Sequence, residues 1–238
     1  MARREPARNL PRPGLSFDPL ESRVVLTGSS PSYIGTVYAD VLHRTALPQE
    51  VASWAQQIQG GKPVTELAKG LIHSTENRTN EVAQDYQKFL HRGATAPEIS
   101  HYLGAFAGGQ TSAVVRQSFL NSPEYKALHP GNTAFVDAIF RDDLGRNPDP
   151  QSETAYANLL SQGASTANVV ASLDYSAERQ GNLVAVDYGT VLGRPVTAQE
   201  SVARVTRMNA GQDTDETLLA GVLTSPENVK DHDGTLLS

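Results

Sequence analysis

Apolar residues recur four apart in four stretches of the chain: Ile34-Tyr38-Leu42, Val82-Tyr86-Leu90, Val136-Phe140-Leu144 and Val184-Tyr188-Leu192. This spacing puts each trio on one face of a helix. A further position on that face holds Val37 or Ile139 in two copies and Asp85 or Asp187 in the others. The alternation predicts a boundary site, buried in some copies only. Downstream, Trp54/Ile58, Tyr102/Phe106, Tyr156/Leu160 and Arg204/Met208 mark a second helix at matching positions. A third is marked by Leu71-Ile72, Phe119-Leu120, Leu173-Asp174 and Val222-Leu223. Asp174 departs from its column, which predicts an edge position for it. No strand-period alternation competes, and the pattern predicts an all-α fold.

The polar positions punctuate these helices. Thr95-Ala96-Pro97-Glu98 and Thr197-Ala198-Gln199-Glu200 have the capping-box form, and Asp149-Pro150 offers a carboxylate cap with Pro at the first helical position. Leu47-Pro48-Gln49-Glu50 keeps the Pro and the Glu without the cap. Gly60-Gly61, Gly108-Gly109, Gly163 and Gly211 read as left-handed stops of the second helix. Thr111, Ser165 and Asp213 are then expected to cap the third helix, with Thr65 doing so in the first copy.

An Arg follows two residues after each Leu: Tyr38-Leu42-Arg44, Tyr86-Leu90-Arg92, Phe140-Leu144-Arg146 and Tyr188-Leu192-Arg194. The Arg positions differ by 48, 54 and 48, and each is followed after 32, 32, 32 and 33 residues by Glu76, Glu124, Glu178 and Glu227. Two markers moving together at a fixed offset define a repeat. The chain reads as four units, 32–79, 80–130, 131–180 and 181–230, within a repeat region 32–230. Each unit has about three helices plus a short capped turn. Residues 1–31 read as a basic, Pro-rich flexible arm and 231–238 as a flexible tail, with a possible seam at 126–132 around His129-Pro130-Gly131. Spacing leaves open one continuous array or two two-unit domains.

Composition narrows the chemistry. A net charge of −6 over 238 residues argues against nucleic acid, since phosphate neutralisation needs a basic surface. The absence of Cys removes disulfides, thiolate metal sites and a Cys nucleophile together. No apolar run is long enough to span a membrane. The paired Arg3-Arg4 lacks the apolar stretch that an export signal requires.

Leu20-Glu21-Ser22-Arg23-Val24-Val25-Leu26 resembles the LEPR-XLL signature of planctomycete surface proteins, with Ser22 and Val25 departing from it. The resemblance implies export or cell-surface placement. Phe140 to Asp149, continuing through Tyr156, Leu160 and Gly163, together with Phe119-Leu120-Asn121-Ser122-Pro123-Glu124-Tyr125, resembles the bacterial domain of unknown function 4214. That family is similar to the helical phycobilisome linker domain. It implies a helical module of secreted, surface and RTX-type proteins with no catalytic residues to carry over.

The recurring Arg and Glu are the strongest candidate constellation. Four Arg could line a groove for acidic ligands. Their place at helix C-termini, with each Glu at a helix N-terminus, favours structure instead, because a catalytic site needs one location rather than four. The expectation is a locking pair, with Arg146 held by Glu124 or Glu178. His43, His73, His91, His101, His129 and His232 lack the short helical spacing of a zinc site. Asp142, Asp143, Asn147, Asp149 and Glu153, and separately Asp213, Asp215 and Glu216, could attract calcium but do not follow the EF-hand order. No cofactor is expected. No Gly-x-Ser-x-Gly elbow, Walker loop or dinucleotide fingerprint occurs.

These readings converge on a non-enzymatic, exported or cell-surface helical-repeat protein that associates with a protein or surface component. Asp85, Arg116, Arg141 and Arg204 are candidate variable surface positions. The alternatives are an intracellular, cytoplasmic linker or scaffold and, third, a hydrolase with a site between repeats. Oligomeric state is not specified by the sequence.

Overall fold

The computed structural model describes residues 28–232, and these form fourteen α-helices and no strand. The first unit holds α1 (Pro31–Leu42), α2 (Pro48–Gln59) and α3 (Val64–Ile72). The second holds α4 (Thr75–Leu90), α5 (Ala96–Ala107), α6 (Ser112–Leu120) and the short α7 (Pro123–Leu128). The third holds α8 (Asn132–Leu144), α9 (Pro150–Ser161) and α10 (Thr166–Asp174), and the fourth α11 (Ala177–Leu192), α12 (Ala198–Asn209), α13 (Asp215–Leu223) and α14 (Pro226–His232). The LEPR-XLL-like string 20–26 lies outside the described residues.

Helix ends follow the local chemistry, with exceptions. Asp149 Oδ1 accepts from the amides of Gln151 and Ser152, at 3.1 and 2.9 Å. Thr197 and Glu200 complete a reciprocal capping box. Glu50 and Glu98 reach back to the amides of Leu47 and Thr95, at 2.7 and 2.8 Å. Two expected caps move. Thr65 lies inside α3, which starts from Pro63 without a side-chain cap. The cap of α13 is Thr214 rather than Asp213, because the one-residue insertion in the last unit shifts the helix start. Asp213 pairs with Arg207 instead, at 2.7 Å.

First helices end in the left-handed region, on His43 (φ 55°), His91 (φ 54°), Gly145 and Gly193. Only Gly adopts this conformation without steric cost, so the two His carry strain that the later units avoid.

The boundaries expected from the sequence shift in three places. Gly28 is buried and Ser30 caps α1, so the fold takes in residues 28–31 of the expected arm. A Cβ on Gly28 would sit 2.8 Å from Val64 Cγ2, which requires Gly at this close approach. Residues 231–232 belong to α14. The unit borders at 79/80 and 180/181 fall inside α4 and α11, because the capped Ser-x-Glu turn runs on into the next first helix. Only between α7 and α8 is that turn separate, broken at His129–Gly131.

Neither a linear array nor two sequential two-unit domains results. The apolar faces of units one and four share one core, from Tyr33, Ile34 and Leu67 to Tyr188, Leu218 and Leu223. Units two and three share another, from Val82, Phe89 and Phe119 to Phe135, Ile139 and Val170. Third helices pair across each core, α3 with α13 and α6 with α10. The first described helix meets the last two where Tyr33 Oη donates to the carbonyl of Leu223 and Ser30 Oγ to that of His232, both at 3.0 Å. The markers of the first half recur 102 residues later in the second: Tyr38 and Phe140, Arg44 and Arg146, Arg92 and Arg194. Each half thus buries its apolar faces against the other half. Full burial of one such aromatic or Leu contributes about 1.5–3 kcal/mol, so the faces of α6 and α10 hold the halves together.

Candidate functional site

Two polar constellations recur or converge. The first is the repeated Arg. Arg44 donates to Glu76 from Nε and Nη2, at 2.5 and 3.0 Å. It donates to Glu50 from Nη1 and Nη2, at 2.9 and 2.8 Å, and lies 5.2 Å from the Tyr38 ring centroid. Arg92 repeats this with Glu124, Glu98 and Tyr86, and Arg194 with Glu227, Glu200 and Tyr188. Arg146 stacks on Phe140 and pairs with Glu178, not with Glu124. It lacks a second carboxylate because Ser152 stands where the others have Glu50, Glu98 or Glu200. Arg44, Arg92 and Arg194 thus each tie the end of a first helix to the start of the second and to the turn after the third, whereas Arg146 makes only the last of these ties. Hydrogen bonds from the Arg hold Glu50, Glu98 and Glu200 at about 2. The aromatic and Leu members face the cores: Tyr38, Leu42, Tyr86, Leu90, Phe140, Leu144 and Tyr188 are buried, and Leu192 packs against its core.

The second constellation sits where the units converge, and the sequence reading misplaced its members. Asp174 is buried at the centre rather than at an edge. Its carboxylate accepts from Arg116 Nε at 3.1 Å, from Arg116 Nη2, and from Gln117 Nε2 at 2.6 Å. Arg116, expected on the surface, is largely enclosed and also reaches Asp215 at 3.1 Å and Asp143 at 3.4 Å. Arg179 shares Asp143, at 3.0 Å. Burial works against the charge on Arg116, but Asp174, Asp215 and Asp143 outweigh it and push its pKa up.

Beside this network, Arg78 bonds Glu81 at 2.8 Å and Glu216 at 3.1 Å, with its guanidinium 4.0 Å from the Phe106 ring centroid. Glu216, from α13, also accepts from the Ser112 amide at 2.7 Å, so the fourth unit caps a helix of the second. Burial opposes its ionisation, yet the Ser112 amide, its own amide and the Thr214 and Ser112 hydroxyls hold its pKa at about 2.

The boundary aspartates differ from these. Asp187 is buried and Asp85 half-buried, so this position turns inward in every unit. Burial, with the Asp215 charge, raises Asp187 to about 7 against the pull of Arg179. Burial and Glu81 raise Asp85 to about 7.

The carboxylates considered for calcium are dispersed. Asp142 accepts from Tyr125 Oη at 2.7 Å, Asp149 caps α9, and Asp215 and Glu216 serve the central Arg side chains. No group of three or more His, Cys, Asp or Glu among the described residues is arranged to hold a metal ion. No helix among them is long and apolar enough to cross a membrane.

One signal for the central network was present in the sequence. Arg116 stands in a column otherwise filled by Ala68, Val170 and Leu219, and Asp174 in one filled by Ile72, Leu120 and Leu223. Two charges of opposite sign in two apolar columns mark a buried pair.

The profile of a family described as Domain of unknown function (DUF4214) matches residues 24–81 and 116–183, together just over half of the chain. No curated protein and no solved structure matches.

Proposed function

The chain belongs to the DUF4214 family, and on that footing we propose that it is a non-enzymatic, exported or cell-surface protein whose role is association with a protein or surface component. Four copies of one helical module build it, and no cofactor is invoked. The observation that carries this reading is the outward placement of the second helices. Among α2, α5, α9 and α12 only Ile58 is buried. Their outer residues differ from unit to unit while the clamps beneath them repeat, so binding specificity resides where the units diverge. Leu159 on α9 and Val202 on α12 are large apolar side chains about half exposed or more, at 46% and 66%. The central charges support the same reading, since Arg78, Arg116 and Arg179 all bond carboxylates of the protein itself.

The test is affinity capture from intact source cells with the folded chain as bait, beside Leu159→Glu and Val202→Glu variants. A partner held by the parent and lost by a variant of unchanged thermal stability supports association through this surface. A partner held equally by both moves the site elsewhere. Fractionation tests placement, and recovery solely from the cytoplasm would reject the surface assignment.

A further inference from the structure

A cleft of about 390 Å³ opens where units one, two and four meet, with walls from α1, α4, α11 and α13. Its cationic lining is already spent: Arg78 on Glu81 and Glu216, Arg116 on Asp174 and Asp215, and Arg179 on Asp143. Two of its carboxylates are not. Asp40 comes from α1 and Asp187 from α11, and Oδ2 of each is buried without a hydrogen-bond partner. No ion pair among the described residues includes either side chain. Asp187 is only 8% exposed.

We propose that this cleft binds a small organic cation of the aliphatic diamine class, with its ammonium groups on Asp40 and Asp187. The unspent charge is negative, and a carboxylate taken out of water without a counter-charge is costly until a cation reaches it. Burial raises Asp40 to about 6, with His232 and His43 only partly offsetting it, and raises Asp187 to about 7. Burial is the main cause at both positions. A metal ion fits poorly, because no set of three ligands converges among the described residues. Two carboxylates on separate helices fit two separated ammonium groups better. Val41, Ile72, Leu183 and Val191 supply an aliphatic wall for the methylenes between them.

Calorimetric titration of the whole chain with putrescine and with cadaverine tests this. The expected result is one-to-one binding of at least one of them, weakened roughly tenfold or more by Asp187→Asn and by Asp40→Asn. Asn keeps the shape of each side chain and removes an unpaired charge, so both variants should melt no lower than the parent at neutral pH. Butylamine, with one ammonium, should bind at least roughly tenfold more weakly than the better diamine. Absence of binding heat at millimolar diamine would overturn the proposal. So would undiminished binding by both Asn variants, or butylamine binding as tightly as the diamines.

Discussion

Arg116 and Asp174 allow the pairing of units two and three to be tested quantitatively. In the related pairing of units one and four, the corresponding places hold Leu219 and Ile72, which line one wall region of the same cleft. Removing Arg116 alone, as Arg116→Leu, leaves Arg179 to neutralise Asp143, Asp174 and Asp215, so the cluster goes from one excess negative charge to two. Asp174 and Asp143 each have side chains only 1% exposed and cannot recover water. Breaking a buried pair from one side costs about 3–5 kcal/mol, which in a chain of this length lowers Tm by about 6–20 °C. Asp174→Ile is milder, because Arg116 retains Asp215 and Asp143. The double variant Arg116→Leu/Asp174→Ile restores the original charge excess and copies the apolar pair of the other core. It is expected to melt within a few degrees of the parent or above it. Calorimetric melts of the four proteins form a double-mutant cycle. Additive effects, or an Arg116→Leu variant that melts with the parent, would refute the claim that this pair is buried and coupled.

Four further outcomes follow from the geometry. Asp187 has a folded-state pKa of about 7 against an unfolded value near 4, so its protonated form is favoured by folding and stability falls as pH rises between the two. Asp187→Asn should therefore raise stability by roughly 2–4 kcal/mol above about pH 8 and leave it unchanged below about pH 4, as read from denaturant melts; an equal effect at both would contradict the burial of that charge. His91 is exposed and left-handed where units three and four use Gly, so His91→Gly should raise Tm by about 1–4 °C, and a fall would show that the ring packs. Arg92→Ala should lower Tm more than Arg146→Ala, since Arg92 holds two carboxylates and Arg146 one; the reverse order would remove the clamp from the account. Cleavage at a protease site built into His129–Gly131 should leave both halves co-eluting in size-exclusion chromatography, because both cores cross the cut. Separate elution would dismiss the crossed pairing.

Helix positions were legible because caps, stops and apolar faces are local signals, and each repeats. Tyr38, Tyr86, Phe140 and Tyr188 announced their cores by spacing alone. The partner of each face was not legible: periodicity says that a face is buried, not against what, and nothing near α3 in sequence points to α13. Asp174 was misread for a related reason. A charge in an apolar column suggests an edge until its counter-charge is found, and Arg116 lies 58 residues away in another unit. Asp85 and Asp187 show the reverse case: their position is buried in three units and half-buried at Asp85, as a boundary site should be, with the aspartates facing the polar centre. The left-handed stops of the second helices, at Gly61, Gly109, Gly163 and Gly211, were legible because a helix end requires only its immediate neighbours.

The crossed pairing also changes what the His129–Gly131 segment does. It acts as a tether, converting what would be a meeting of two chains into an intramolecular step whose effective concentration is set by the linker and not by expression level. A symmetric dimer must carry every substitution twice, at two related places. The tethered chain carries Arg116 and Asp174 in one core and Leu219 and Ile72 in the other. Covalent linkage thereby frees two equivalent interfaces to diverge, one remaining apolar while the other becomes ionic.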